Sequence, residues 1–413
     1  MKDESIELNI DSLVMESTLT GNVAQGRPQL LSVTRAVNAL IYKDLVAIQK
    51  TELPSATLYG LRYLNEAGDM TFVTQATYAG QYGDRTAITK ITEASSSVKT
   101  GDIFVYGTDV FEAILDSNIM DENGDTLTDK VHVCLMKNII RLASDAAVVD
   151  YHERGDKIQE IDFSLDRWTV DTRTRKYKTQ VTDELISNLN SNQLDGSAIV
   201  YDMLATTISE EINKDIVQKL QTVSKRHVSA ITPEGILDVT ALADDPTQSR
   251  QVYRIVSDMA YGILGETTFE STYVLCTPNI AALLSASGWM RGDPNMVNLY
   301  AGVLTNGIKV YIDSNTKFDY IVVGTTQESN ELEKIGSLFY SPYVDVDEAG
   351  TYQVVVDPSD MQSRYTATAR YGLSTNPYSA TDDTENQLYD GDDWINLAGK
   401  SKYSRFVGLV GMR

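Results

Sequence analysis

The longest regular signal in the chain is a stripe of apolar residues stepping mainly by four: Ile199, Leu204, Ile208, Ile212, Ile216, Leu220 and Val223. Such a stripe predicts an amphipathic helix with one buried side. Asp195 is placed to cap it, and ~28 residues of helix would span about 42 Å, enough to cross a domain. Glu210 with Lys214, and Asp215 with Lys219, are correctly oriented i,i+4 pairs for its wet side. A second helical face, Leu30, Val33, Val37, Leu40 and Ile41, follows Pro28, a residue suited to a first helical turn. Past Lys43 the period becomes strand-like over 45–48 and again over 58–63.

Strand periods dominate elsewhere. Ile161, Phe163 and Leu165 alternate with Asp162, Ser164 and Asp166, the pattern of a strand with one wet face. Residues 230–330 alternate the two periods: a helix over 249–264, a short buried strand over 273–276, and a helix over 279–285. Thr277-Pro278 supplies that helix with an N-cap and a first-turn proline, and Asn306-Gly307 marks a turn between strands. Between Gly336 and Tyr378 three strands follow in quick succession: Leu338, Phe339, Tyr340 and Tyr343, then 352–356, then 365–371. Pro342 and Pro358 fall at strand ends, and a last strand covers 405–410. Residues 66–157 are the least patterned; candidate strands at 70–73, 103–106 and 131–136 between turn residues suggest a small inserted β-rich domain. Residues 1–27 are polar and read as an arm that orders against a partner. The fold class is α+β.

Composition adds exclusions. A chain of 413 residues fits two or three domains, and 42% hydrophobic with 23% charged residues is ordinary for a globular protein. A net charge of −23 argues against a nucleic-acid reader, which needs concentrated Lys and Arg. Cys134 and Cys276 cannot staple a chain this long, so a reducing compartment is expected. No apolar run is long enough for a membrane span, and the N-terminal stretch lacks the features of a secretory signal. The 23 tyrosines against 8 phenylalanines fit either wet-rimmed subunit interfaces or a simple strand preference.

Few residues suggest chemistry. Asp121, Asn123, Asp125 and Asp129 resemble a calcium loop, but Thr126 and His132 occupy its glycine and glutamate positions, so a polar turn is expected. His132, His152 and His227 are far apart, and no phosphate loop, dinucleotide fingerprint or nucleophile elbow occurs. No catalytic, cofactor-binding or metal-ligating residues are therefore assigned, and no cofactor is expected. Arg173, Arg175, Lys176 and Lys178 form the densest basic cluster, with Arg167 shortly before them. These five are candidates for contact with an acidic neighbouring subunit, since opposite fields orient encounter. A solvated strand face explains them as well, whereas no aromatic platform accompanies them to suit nucleic acid.

Five separated blocks carry a family resemblance, the last of them the terminal strand over 405–410. Phe339-Tyr340-x-Pro342-Tyr343, Val356-Asp357-Pro358, Arg370-Tyr371-Gly372 and Asn376-Pro377 occur in one order near the end. Leu40, Ile41, Asp44, Val46, Gln49, Leu61, Arg62 and Tyr63 form another block, and Glu211 to Val217 a third. Ala301, Gly302, Val303, Tyr311, Ile312, Asp313, Asp319, Tyr320 and Gly324 form the strongest. In these the chain resembles the major capsid proteins of T-even-type tailed bacteriophages, with Lys50 and Lys214 departing from the usual Pro and Arg. The resemblance implies the Hong Kong 97 phage fold. Residues 1–57 would be an N-terminal arm and 58–182 an extended loop carrying the insertion. Residues 183–232 would be the peripheral domain with its spine helix, 233–330 an axial domain, and 331–413 peripheral strands and the C-terminal strand.

The implied function is a shell subunit that assembles into hexamers and pentamers of an icosahedral head around double-stranded DNA, without sequence-specific binding. Its implied partners are itself and scaffold, portal, vertex or decoration proteins, with no membrane involved, in a virion assembled in the bacterial cytoplasm. The resemblance also brings to notice Val14-Met15-Glu16-Ser17 as a site for trimming after Glu16, although an untrimmed chain is expected. A same-fold encapsulin-type shell around protein cargo, or a soluble α+β enzyme, are the other readings. A cargo shell closes without a scaffold, and an enzyme forms a small discrete oligomer.

Overall fold

The computed structural model describes residues 42–64, 88–90, 97–106, 109–118, 134–143, 162–191, 195–240, 245–292, 299–328, 334–343, 351–356, 363–376, 391 and 393–411. The spine helix runs Gly196–Val223, and the Asp195 carboxylate caps it by accepting the Ala198 N–H at 3.1 Å. Its buried side carries Val200, Leu204, Ile208, Ile212, Ile216, Val217, Leu220 and Val223, each worth ~1.5–3 kcal/mol of burial. At its C-terminal end the Ser224 hydroxyl donates to the Leu220 carbonyl at 2.6 Å. Of the two wet-side pairs expected, Glu210 and Lys214 do meet at 2.5 Å. Asp215 and Lys219 instead turn to partners on other elements, described below.

The spine lies on a five-stranded sheet in the order Ala47–Ile48, Leu338–Pro342, Ser363–Thr375, Arg173–Val181, with Thr351–Val356 also paired to Ser363–Thr375. Tyr340, Tyr365, Ala367 and Tyr371 are buried in its core. Tyr201 of the helix meets Tyr365 edge-on at 5.5 Å between ring centroids.

That core continues into a second, eight-stranded sheet through Tyr273, Leu275, Tyr311, Tyr320, Val322 and Phe406. Across this sheet the order runs Ser224–Arg226, Ser401–Val410, Tyr320–Gly324, Tyr273–Cys276, Lys309–Ile312, Tyr300–Leu304, Met290–Gly292, with Ile236–Asp238 also on Ser401–Val410. Its second face packs Val274, Cys276, Ile321 and Val323 against residues of the helices Asp245–Thr267 and Pro278–Ala286. Both faces are covered, which is why Tyr273–Cys276 and Tyr320–Gly324 are unbroken apolar runs, buried at every residue.

Polar residues singled out by the resemblance support this sheet. Asp313 is buried and accepts from the Tyr320 hydroxyl at 2.7 Å, the Asn315 N–H at 2.9 Å, and the Thr316 hydroxyl. Thr277 does precede its helix, yet its hydroxyl makes no cap bond. It donates instead to Asp319 at 2.5 Å, which also accepts from the Asn279 amide at 3.2 Å. At Gly324 a Cβ would lie 2.3 Å from the Tyr273 hydroxyl, so glycine alone fits beside that ring.

A two-stranded ribbon leaves the five-stranded sheet. Ser55–Leu64 pairs antiparallel with Asp162–Asp171 along its whole length, Ser55 opposite Asp171 and Leu64 opposite Asp162; ten residues of strand reach roughly 33 Å. Beyond it sits a small sheet in the order Thr89–Lys90, Ile103–Tyr106, Asp109–Ala113, Ile140–Leu142, closed over Val98, Phe104, Phe111, Cys134 and Ile140.

Several expectations need correction or fall outside the described residues. Phe163 and Leu165 were expected on a buried strand face but stand 67% and 62% exposed, because strand alternation places them on the ribbon face opposite Trp168 and Val170, which is the face that packs. The strand expected over 131–136 is, in its described part Cys134–Met136, a turn of helix. Residues 1–41, and with them the first expected helix, the candidate strand at 70–73 and the calcium-like loop lie outside the described residues; Tyr42–Leu45 is a four-residue helix.

Candidate functional site: the ribbon root

At its root the ribbon is buried on one side. Leu58, Trp168 and Val170 pack with Ala47 and Phe339, and the Trp168 and Phe339 rings lie 6.4 Å apart. Thr172 then ties both ribbon strands to the sheet. Its N–H and hydroxyl donate to the Pro54 carbonyl at 3.0 and 2.6 Å. The same hydroxyl oxygen accepts from Arg370 Nε at 2.7 Å. The Arg370 guanidinium lies 4.7 Å over the Tyr343 ring, and the Tyr343 N–H donates to the Arg370 carbonyl at 2.9 Å. Two residues on, a Cβ at Gly372 would stand 2.8 Å from Val170 Cγ1 and 3.2 Å from the Asp171 carbonyl oxygen. Glycine there lets the ribbon cross the sheet closely.

Tyr371, between them, turns toward the spine and donates to Asp215 at 3.0 Å. Arg175 approaches the same carboxylate at 3.6 Å and Glu211, one turn earlier, at 3.5 Å. Burial, reinforced by the Asp215 charge, pushes the Tyr371 phenol far above its ordinary range, so it remains a donor. Lys219 is drawn instead to the Trp394 ring, 4.1 Å from its centroid.

The five basic candidates divide by strand parity. Arg173, Arg175 and Tyr177 share the spine-facing side of Arg173–Val181, opposite Tyr371, Ala369 and Ala367, and Arg175 spends its charge within its own chain. Arg173 lines a cleft of about 250 Å³ with Asp171, Lys219 and Trp394. Lys176 and Lys178 point to the other side, opposite Thr368 and Thr366, and are exposed. Arg167 stands apart on the ribbon, opposite Tyr59, on the face that exposes Leu61 and Leu165. Sequence reasoning passed over Thr172, the residue that joins ribbon to sheet; its signal was its place between two strand periods, immediately before the basic run.

This arrangement positions the ribbon on the sheet. The described residues include no group of three or more His, Cys, Asp or Glu that could hold a metal ion. The described residues form a ribbon with an exposed apolar face, rooted on a helix-backed sheet and followed by a second mixed sheet. A family profile described as Major capsid protein Gp23 matches residues 23–409. The chain belongs to this family: it is a structural phage capsid protein, and not an enzyme, and its described residues mix helices and strands.

It is 39% identical to the capsid vertex protein of Enterobacteria phage T4, covering 97% of each chain, and likewise 39% identical to that of Escherichia phage AR1. Identity to the major capsid protein of phage T4 is 24%, over the whole chain and 90% of that relative. Among solved structures, the capsid of Myoviridae phage XM1 aligns with a TM-score of 0.42 at 7% identity, covering 95% of this chain and 98% of that one. The head structure of Helicobacter pylori bacteriophage KHP40 aligns with a TM-score of 0.43 at 9% identity, covering 96% and 97%.

Proposed function

We propose that this chain is the vertex subunit of its phage head, forming the pentameric ring at each fivefold corner. The observation that carries this is the gap in identity, 39% to capsid vertex proteins against 24% to a major capsid protein. Phages T4 and AR1 each have a protein of both names, which supports a division of labour here too, with hexamers built from a related chain. The domain boundaries drawn above are assigned on the same reading, as arm, extended loop, peripheral domain and axial domain. In the ring each subunit makes heterologous contacts that close on themselves. Each is modest, and multivalency makes the shell durable. Exposed Arg167, Lys176 and Lys178 face acidic surfaces of neighbouring subunits, and scaffold and portal proteins guide assembly in the host cytoplasm. The acidic balance of the chain, −23 overall, lets DNA be packed without adhering.

The test is to delete the gene and image the heads by electron microscopy. Heads with an intact hexamer lattice and gaps at the corners, refilled by purified chain, are expected. Loss of the hexamer lattice itself, or density for this chain within hexamers, overturns the assignment.

A further inference from the structure

The eight-stranded sheet ends in two unlike edges. At one end Ser224–Arg226 and Ile236–Asp238 lie in line along Ser401–Val410 and pair with no other strand among the described residues. At the other, Met290–Gly292 pairs only with Tyr300–Leu304 there. Open edges invite another chain and are normally covered or blunted.

The first edge presents an apolar patch flanked by Glu234 and Asp238, with Arg226 against Gly235 and stacked over Phe406. Its register sets Ile236 beside Gly408 and Asp238 beside Val410, with Leu237 and Leu409 buried on the opposite face. Ile236 is 44% and Val410 56% exposed. Glu234 is exposed next to them, with its backbone in the left-handed region at φ 58°. Few residues adopt that conformation unless the surroundings require it, and such positions concentrate at functional surfaces.

The second edge presents a cleft of about 670 Å³ whose walls include Trp289, Met290, Tyr300, Val303 and Leu304, and whose lining includes Arg291 and, among the described residues, no carboxylate. The Tyr253 ring, 4.8 Å away, backs the Trp289 indole. Arg291 is exposed and makes no ion pair among the described residues. Close packing holds this edge in place, since a Cβ at Gly302 would lie 2.3 Å from the Arg291 carbonyl oxygen. Leu299, at the mouth, also has a left-handed backbone, φ 63°.

We propose that these two edges meet between neighbouring copies of this chain. The Ile236–Val410 patch of one copy enters the cleft beside Met290–Gly292 of the next, where Arg291 faces the first copy's Glu234. Apolar patch and apolar cleft, acid and base, are complementary, and charge of this kind fixes register and orientation more than raw affinity. Because the surfaces differ and sit at opposite ends of one sheet, every copy offers both, and the contact propagates around a ring. The inference rests on the ring-forming reading above and names the contact that closes it.

The experiment is a charge swap read by mass photometry of the purified full-length chain. Arg291→Glu and Glu234→Arg, each alone, are expected to raise the concentration for half-assembly of rings at least tenfold, and the double variant to restore it to within about threefold of wild type. Thermal unfolding checks that each variant folds, and Arg291→Lys, which keeps the charge, is expected to assemble. Rings of Arg291→Glu at wild-type concentration, or a folded double variant that stays unassembled, overturn the contact while leaving the ring-forming reading in place. Absence of rings from the wild-type chain at any concentration overturns both.

Discussion

Replacing Arg370 with alanine tests whether the ribbon root is a fixed joint. The substitution removes a charged donor 2.7 Å from the Thr172 hydroxyl, an interaction worth ~1.5–3 kcal/mol. It also removes the guanidinium 4.7 Å over Tyr343, worth about 0.5–1 kcal/mol at a partly exposed site. Thr172 keeps its own bond to Pro54 at 2.6 Å, so no buried donor is orphaned, and the sum stays on the order of 2–3 kcal/mol. Most of that loss is local, because the spine core does not involve Arg370. Hydrogen exchange at the Thr172 amide, which donates to Pro54 at 3.0 Å, reads the opening directly. Exchange is expected to quicken roughly thirty- to 150-fold, with protection in the spine helix unchanged. Arg370→Lys keeps a cation for Tyr343 but not the planar donor, and is expected to recover less than half of the loss. An acceleration below about threefold in the alanine variant refutes the clamp.

Other consequences are as direct. Tyr371→Phe removes the hydroxyl donated to Asp215 at 3.0 Å, and urea unfolding is expected to report ~1–2 kcal/mol of destabilisation; an unchanged midpoint contradicts the role given to Tyr371. Gly302→Ala forces a Cβ to 2.3 Å from a backbone oxygen at a φ of 148°, so a loss of about 1–3 kcal/mol and detachment of the Met290–Gly292 edge in hydrogen exchange are expected. A wild-type exchange pattern contradicts that. His227 is held below its ordinary pKa of 6.5, chiefly by burial and then by the Arg405 charge, with Asp258 opposing. The unfolded chain therefore binds the proton more readily. Stability is full above about 6.5 and falls as pH drops toward the depressed folded value. His227→Gln is expected to shed that part of the acid sensitivity, and equal slopes for variant and wild type between pH 8 and 5 refute it.

Much of this fold was legible in the sequence where one physical rule acted alone. The spine stripe and its Asp195 cap, the unbroken runs of Tyr273–Cys276 and Tyr320–Gly324, and the ribbon strand Ser55–Leu64 follow from periodicity and burial. Reading failed where neighbours compete. Asp215 and Lys219 sit at ideal helical spacing, but Tyr371 with Arg175 and the Trp394 ring outbid a surface pair worth ~0.3–0.5 kcal/mol. Phe163 and Leu165 alternate like buried strand residues yet are exposed, because alternation marks an apolar face without saying which face packs, and here the other face, with Leu58, Trp168 and Val170, does. The basic run looked like one surface, but period-two geometry sends Arg175 inward and Lys176 and Lys178 outward. The resemblance marked Arg370, Tyr371 and Gly372 without saying why; the joint with Thr172, Asp215 and Val170 supplies the reason.

The most direct test of the central claim is native mass spectrometry of the purified full-length chain across a range of concentrations. A ring-forming vertex subunit of 45.7 kDa predicts a species near 229 kDa, roughly the pentamer mass, growing at the expense of monomer with no dimer or tetramer accumulating. A discrete dimer or tetramer that persists at every concentration contradicts it.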